Sequence, residues 1–343
     1  MRSDAAPPDR HEVEGDPRGW LRAPAFDLTL IVGVLALALT LGGAALLHPA
    51  AFGAILLVDL WLLAYPHVAS TYTRLVMTPE DRRRRWHLVA VLPLVVAATA
   101  GLAHVGGEVA LFTLYYVWQT WHYTRQSHGI ARAYRRAAGR PAADPLAEAL
   151  VYAFPLWGVL HRAHEAPPSF FGAPVWWPPV PALVVYLAGA AALVVLTTWL
   201  FRQVRSARRH LEPAALFVLS HVAVTAVSYL LVDEVTRGWL FINIWHNAQY
   251  LLFVWAANAR RFAGAPADDP RLLARWSRED RALTYGALCL GLGVAFYLGL
   301  GELLALAPPS ALPLVLVVHL GINFHHYLVD AVIWRSPAPA PAT

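Results

Sequence analysis

Apolar residues in this chain do not alternate with polar ones. They also do not recur every third or fourth position, as on one face of a soluble helix. They come in unbroken runs. About ten of these, at 25–47, 51–73, 87–105, 108–128, 147–163, 181–201, 213–232, 237–257, 282–305 and 311–333, approach or exceed the ~20 residues a helix needs to cross a bilayer. Backbone groups in lipid must be satisfied within their own segment, so such runs read as helices. The lack of two-residue alternation argues against a β-barrel. The expected fold is all-α: a polytopic membrane protein with about ten transmembrane helices in one bundle over 25–335. Residues 1–24 read as a disordered cytoplasmic tail and 336–343, rich in Pro and Ala, as a second disordered tail. The first 24 residues lack the positive stretch and short apolar core of a cleaved signal.

Charge sets the expected topology. Every one of the 27 basic residues is Arg, which excludes a Schiff-base lysine. The arginines fall in every second loop: Arg82 to Arg85, then Arg132, Arg135, Arg136 and Arg140, then Arg202, Arg205, Arg208 and Arg209, then Arg260, Arg261, Arg271, Arg275 and Arg278, and finally Arg335. Arg162 and Arg237 are the exceptions. Cytoplasmic loops accumulate such charge, so an even-numbered bundle with both termini cytoplasmic is expected, in a bacterial-type inner membrane. The net charge of +5 therefore belongs to topology, and nothing points to nucleic acid. The lone Cys289 excludes an intramolecular disulfide and a Cys-rich metal site. The outer loop 167–181 carries Phe170, Phe171, Trp176 and Trp177, which suit an interfacial belt or a substrate lid.

Against this background the histidines stand out. Ionisable residues within spans are rare and usually face a bundle interior. The alternating topology places His67, His122, His128, His246, His325 and His326 within one slab near the cytoplasmic face, and these are the candidate metal ligands. Neutral imidazole suits Fe, Cu, Zn and Ni. Helical spacing supports a directed site. His319, Asn323, His326 and Asp330 share one face, as do Tyr115, Gln119, His122 and Gln126, and as do Asn243, His246 and Tyr250. Ligating histidines need partners for their outward ring N–H. Asp59, Gln119, Asn247, Gln249 and Asp330 are suited to that role, the two aspartates also as ligands. His221 and His319, each alone on its segment, read first as helix–helix hydrogen-bond partners and second as alternative ligands. His87 reads as interfacial, and His11 and His210 as solvated. His48, His104, His161 and His164 lie on the outer side, where a second site is an alternative to simple exposure.

The His122–His128 segment, His246 and the His325-His326 pair resemble, in style, the membrane histidine-motif oxygenases. These are the fatty-acid desaturase and hydroxylase group and the Brp/Blh-type carotene dioxygenases. The spacing departs from desaturase boxes: five residues separate His122 from His128, and no His lies three residues before His325. The resemblance implies one or two non-haem iron ions, O2, membrane lipids around the protein, a lipophilic substrate of the lipid, isoprenoid or carotenoid class, and an electron donor. Trp118, Trp121, Trp245, Tyr123, Tyr250 and Tyr327 are candidates to line its tunnel. Two other classes stay open. Bis-histidine ligation would make the chain a b-type haem cytochrome. A His/Asp-lined path would make it a proton or metal transporter. There is no phosphate-binding Walker loop and no nucleophile-elbow GxSxG.

Overall fold

The computed structural model describes residues 19–206, 212–305 and 313–334. Most of the two sequence-read tails lies outside these residues, as do His11, His210, Arg208, Arg209 and Arg335. The described chain is almost wholly helical: α1 (Pro24–Leu47), α2 (Pro49–Thr73), α3 (Pro79–Ala137), α4 (Pro145–Glu165), α5 (Ala182–Arg205), α6 (Pro213–Leu231), α7 (Val235–Arg261), the short α8 (Leu272–Trp276), α9 (Ala282–Ala305) and α10 (Leu314–Ile333). Seven of them are long and apolar enough to cross a membrane: α1, α2, α3, α5, α6, α9 and α10. In five of those, α6 and α10 aside, only 17% to 33% of the most apolar window is buried inside the protein. Leu57, Leu62, Leu183, Leu187 and Val194 point outward. So large an apolar exterior is what hydrocarbon requires and water penalises. The other two long helices, α4 and α7, have 21 and 27 residues but are too polar to join the seven. In α7 the polarity comes from Asn243, His246, Asn247, Gln249 and Asn258, all buried.

The 59-residue α3 is not one rod. A straight helix would hold Val96 and Trp118 about 33 Å apart. Yet Val96 lies against Gly321 and Trp118 stacks on Phe324, less than one turn further along α10. Leu88 and His122 likewise meet the adjacent residues His325 and His326. The chain therefore reverses at Gly107, whose φ of 62° and ψ of −160° suit a residue without a Cβ. The boundary between two of the expected runs, 87–105 and 108–128, falls at this reversal.

Helix α7 forms the axis. It packs on α1, α2, α6 and α9, and α10 lies along α3. Its N-terminal half meets the end of α6, where a π-helical turn, Val227–Leu231, leaves carbonyls exposed. Arg162, 1% exposed, donates to the carbonyls of Ser228, Val232 and Asp233 and to Glu165. That accounts for one arginine the charge pattern left as an exception: it caps buried backbone. Gly238 sits on the same turn, and a Cβ there would lie 2.3 Å from the Ser228 carbonyl oxygen.

The loop 167–181 contains a two-stranded hairpin, Ser169–Phe170 paired with Ala173–Pro174. Its two turn residues, Phe171 and Gly172, both have positive φ, as the tightest hairpins require.

Gly238→Ala is expected to destabilise the detergent-solubilised protein by about 2 kcal/mol, the scale of overpacking a tight contact. Gly286→Ala, where an added Cβ meets nothing within 4 Å, is the matched control. Equal thermal-unfolding midpoints for the two variants would remove the close contact from this description.

Candidate metal centre

Four helices each place one histidine at a common point. His67 comes from α2, His122 from the second half of α3, His246 from α7 and His326 from α10. Their exposures are 3%, 5%, 1% and 0%. The Nε2 of His326 lies 2.8 Å from the Nε2 of His67 and 3.2 Å from that of His122. The rings of His67 and His246 are 4.7 Å apart between centroids, and those of His122 and His246 are 5.0 Å apart. Ligand nitrogens of His67, His122 and His246 all lie within 4.8 Å of one another. Two nitrogens bound at about 2.05 Å to a tetrahedral ion stand about 3.3 Å apart, close to the observed spacing.

The donor atoms also fit a cation chemically. A neutral imidazole carries one N–H and one lone pair, and three Nε2 atoms facing each other cannot all be satisfied by sharing protons. Both ring nitrogens of the buried His246 have no hydrogen-bond partner. Orphaned polar atoms in an interior are rare because they forgo water without replacement, and a shared cation would satisfy them.

The surrounding residues fix the rings. Tyr250 packs on His67 at 4.4 Å, Tyr327 stacks on His122 at 4.4 Å, and Tyr123 lies 4.1 Å from His246. The His326 Nδ1 meets the Thr71 hydroxyl at 2.9 Å, and Thr71 meets the Tyr250 hydroxyl at 2.9 Å. Tyr250 donates a short hydrogen bond to Asp330, which also accepts from the Trp334 indole at 3.2 Å and Thr71 at 3.4 Å. With the Thr71 proton turned to Tyr250 or Asp330, its oxygen accepts from the Nδ1–H of His326. In that arrangement the Nε2 lone pair of His326 is turned toward the cluster. Asp330 is also within reach as a carboxylate ligand alongside His122 and His326.

On the other side of the rings, Asp59 accepts from Asn243 and, at 3.5 Å, from Asn247. The Asn243 oxygen accepts from Tyr123 at 2.5 Å and from Gln119 at 3.5 Å, and the Gln119 oxygen accepts from Trp239 at 2.7 Å. Asp59 and His67 are eight residues apart, about 80° out of line on a regular helix. The π-helical turn Leu60–Ala64 between them absorbs one residue and brings them to one face. A cavity of about 30 Å³ lies between this network and the rings, lined in part by Tyr65, Asn243, His246, His319 and Tyr327. That is room for a water or a diatomic molecule, and not for an acyl chain. Phe170 of the hairpin, fully buried, packs on Tyr115, Tyr116 and Trp239 and covers this end. Phe170 thus plugs this end, while Trp176 of the same loop is 59% exposed.

Two expected ligands are not brought to the cluster. His325 points about 100° away from its neighbour, receiving the Tyr72 hydroxyl at Nδ1 (2.9 Å) and donating to the Leu88 carbonyl (2.7 Å). His128, six residues beyond His122, points about 120° from it and lies beside Glu148, 3.5 Å away, and Tyr152. His221 donates to the Val151 carbonyl at 3.1 Å. His319 lines the cavity and packs against Tyr65 and Tyr297, which stack on each other at 4.0 Å. Gln249 is fully buried but makes no hydrogen bond to the cluster. Of the expected tunnel aromatics, only Tyr123 and Tyr327 line the cavity; Trp121 is 54% exposed and Trp245 is bound to Ser220. Of the four histidines expected on the outer side, His161 lies by Glu165 and His164 donates to the Val180 carbonyl. Among the described residues no group of three outer ligands comes together. Thr71 was legible only as the position four residues after His67, on the same helical face.

No protein-family model, curated protein or solved structure matches this chain.

Thr71→Val keeps the shape and removes the hydroxyl. Competition with a chelator should show metal affinity lowered about 10- to 100-fold, the usual effect of losing a ligand's outer partner. An unchanged affinity would mean that Thr71 does not orient His326.

Proposed function

We propose that the chain is a ten-helix inner-membrane oxidoreductase with both termini cytoplasmic and a single non-haem iron centre held by His67, His122, His246 and His326. The observation that carries this reading is the convergence of four buried imidazoles, one from each of four helices. Ten spans follow when the two halves of α3 are counted separately and the polar α4 and α7 are included. Both lie in the bundle, where polar faces are sheltered from lipid. Iron bound here would supply activation of O2, and the cavity beside the rings has the size for it. The protein supplies fixed ligand orientation through Thr71 and Tyr250, and exclusion of water through the Phe170 plug. A lipophilic substrate of the lipid or isoprenoid class exceeds the cavity, so its binding requires the lining side chains to move. Electrons would come from a donor at the cytoplasmic face.

Haem fits the geometry less well. Two axial nitrogens stand about 4 Å apart on opposite faces of a macrocycle, and the Nε2 pairs here are closer, with rings packed on every side. A proton-relay reading draws support from one observation. Hydrogen bonds run from His67, His122 and His326 through Thr71 to Tyr250, Asp330 and Trp334, and a second polar network, Asp59 with Asn243, lies on the other side of the rings.

Metal analysis and a visible spectrum of detergent-purified protein separate these readings. Stoichiometric iron without a Soret band is the expected result, with loss of the metal in His246→Ala and His326→Ala and its retention in His128→Ala and His325→Ala. A Soret band would establish the cytochrome. Failure to bind any metal, even on reconstitution, would leave the relay. Full retention of metal in both His246→Ala and His326→Ala would sink the assignment of the site.

A further inference from the structure

A second cavity, about 370 Å³, opens between the arginine-bearing ends of α3 and α5 and the starts of α4 and α6. Its size lies within the range of ligand sites. Arg135, Arg140 and Arg202 line it, facing only two carboxylates, Asp144 and Glu212. Arg202 donates through one nitrogen, Nη2, to both Asp144 oxygens at 2.6 Å. Its Nη1 and Nε keep their donors, on a side chain 48% exposed. Arg135 donates to Asp144 at 3.0 Å and to the Pro141 and Ala143 carbonyls at 2.9 and 3.3 Å, and Arg140 donates to Glu212. Burial pushes the Asp144 carboxyl up, but the Arg202 hydrogen bonds, the Ala147 N–H and the two guanidinium charges outweigh it, and the group sits below its ordinary value. Asp144 therefore stays ionised and holds two arginines at the rim, leaving a positive excess.

The inner wall is different. Trp199 of α5, Ala131 of α3 and Val218 of α6 line it, and all three are buried. The Trp199 indole N–H is buried without any acceptor. A cationic rim one turn from an apolar wall that carries an unused donor is complementary to an anionic amphiphile. Basic pockets between helices on the cytoplasmic side are suited to phosphate headgroups.

We propose that this cavity binds an anionic phospholipid. The phosphate sits on the free donors of Arg202, beside Arg135, and the first part of a chain enters the cavity toward Trp199 and Val218. Trp199 must turn toward it for the indole N–H to find an ester oxygen. The proposal rests on the membrane reading and is independent of the metal centre.

Native mass spectrometry of the detergent-purified full chain, titrated with phosphatidylglycerol or phosphatidylcholine, tests it. Phosphatidylglycerol is expected to bind about tenfold more tightly. Arg202→Gln should weaken it about fivefold, the effect of one arginine near a lipid surface. Arg82→Gln, on the exposed arginine run of α3, should leave binding unchanged. Ala214→Phe fills the cavity while keeping the arginine pairs, and it should also weaken phosphatidylglycerol binding. It decides the matter if Arg202→Gln does not fold. Equal losses in Arg82→Gln and Arg202→Gln would show diffuse surface charge and overturn the site. Displacement of phosphatidylglycerol by millimolar inorganic phosphate would overturn the lipid as occupant in favour of a soluble phosphate compound.

Discussion

The cost of burying imidazole governs the centre of this bundle. Each ring removed from water must find a partner for both nitrogens or forgo about 1–3 kcal/mol per orphaned group. Here four such rings are gathered within a few ångströms, where they can offer one another few protons. His246 has no partner at either nitrogen. A bundle that needed only packing would place Leu or Phe at these four positions. The residues around the rings are arranged as though their outward atoms mattered: Thr71 on His326, Tyr250 between Thr71 and Asp330, tyrosine rings against three of the four imidazoles. Ligand nitrogens of His67, His122 and His246 lie within 4.8 Å of one another, and a cation bound there would give these atoms the partners the protein does not.

That requirement shapes the helices that carry the four histidines. α7 is too polar to score with the most apolar spans, because it supplies Asn243, His246 and Asn247 to the centre, and it is buried along most of its length as a result. α2 departs from regular helix between Asp59 and His67, so that a carboxylate and a ligand two turns apart share a face. α3 reverses at Gly107, which lets α10 be covered on one side by both halves and brings His122 level with His326. Irregular backbone is not confined to the centre: α1 has a π-helical turn at Thr29–Gly33 and α6 one at Val227–Leu231, whereas α5 is regular throughout.

Much of this was legible in the residues alone, and what was not has physical causes. Runs of apolar residues foretell helices because lipid leaves the backbone no alternative. Four of six expected ligands meet because topology fixes depth and the polar faces of α7 and α10 fix direction. His325 and His128 share the depth but not the direction. One residue along a helix turns a side chain by about 100°, and the HH pair alone does not say which member faces inward. Asp330 and Asn323 do say it, because they lie four residues after and three before His326. The π-helical turn in α2 has no such mark in Leu60–Ala64, a plain apolar stretch, so the alignment of Asp59 with His67 could not be read. The hairpin at Phe171-Gly172 was hidden for another reason: a loop rich in Trp and Phe looks like an interfacial belt until Phe170 is seen buried against Trp239.

The two ends of the bundle then divide the work by polarity. The end near Trp239 is closed by aromatic rings, with a polar network and a small cavity beneath. At the opposite end Asp330 joins Tyr250 to Trp334, whose ring lies under the Arg74 guanidinium at 4.6 Å. Arg74 donates to Asn258, and the neighbouring Arg85 and Arg261 pair with Asp81. The centre is thus continuous through hydrogen bonds and ring contacts with the arginine-bearing end and walled off by carbon at the other. On the aromatic side, the small cavity beside the four rings is covered by Phe170 and Trp239, so the two sides of the centre differ in polarity as well as in access.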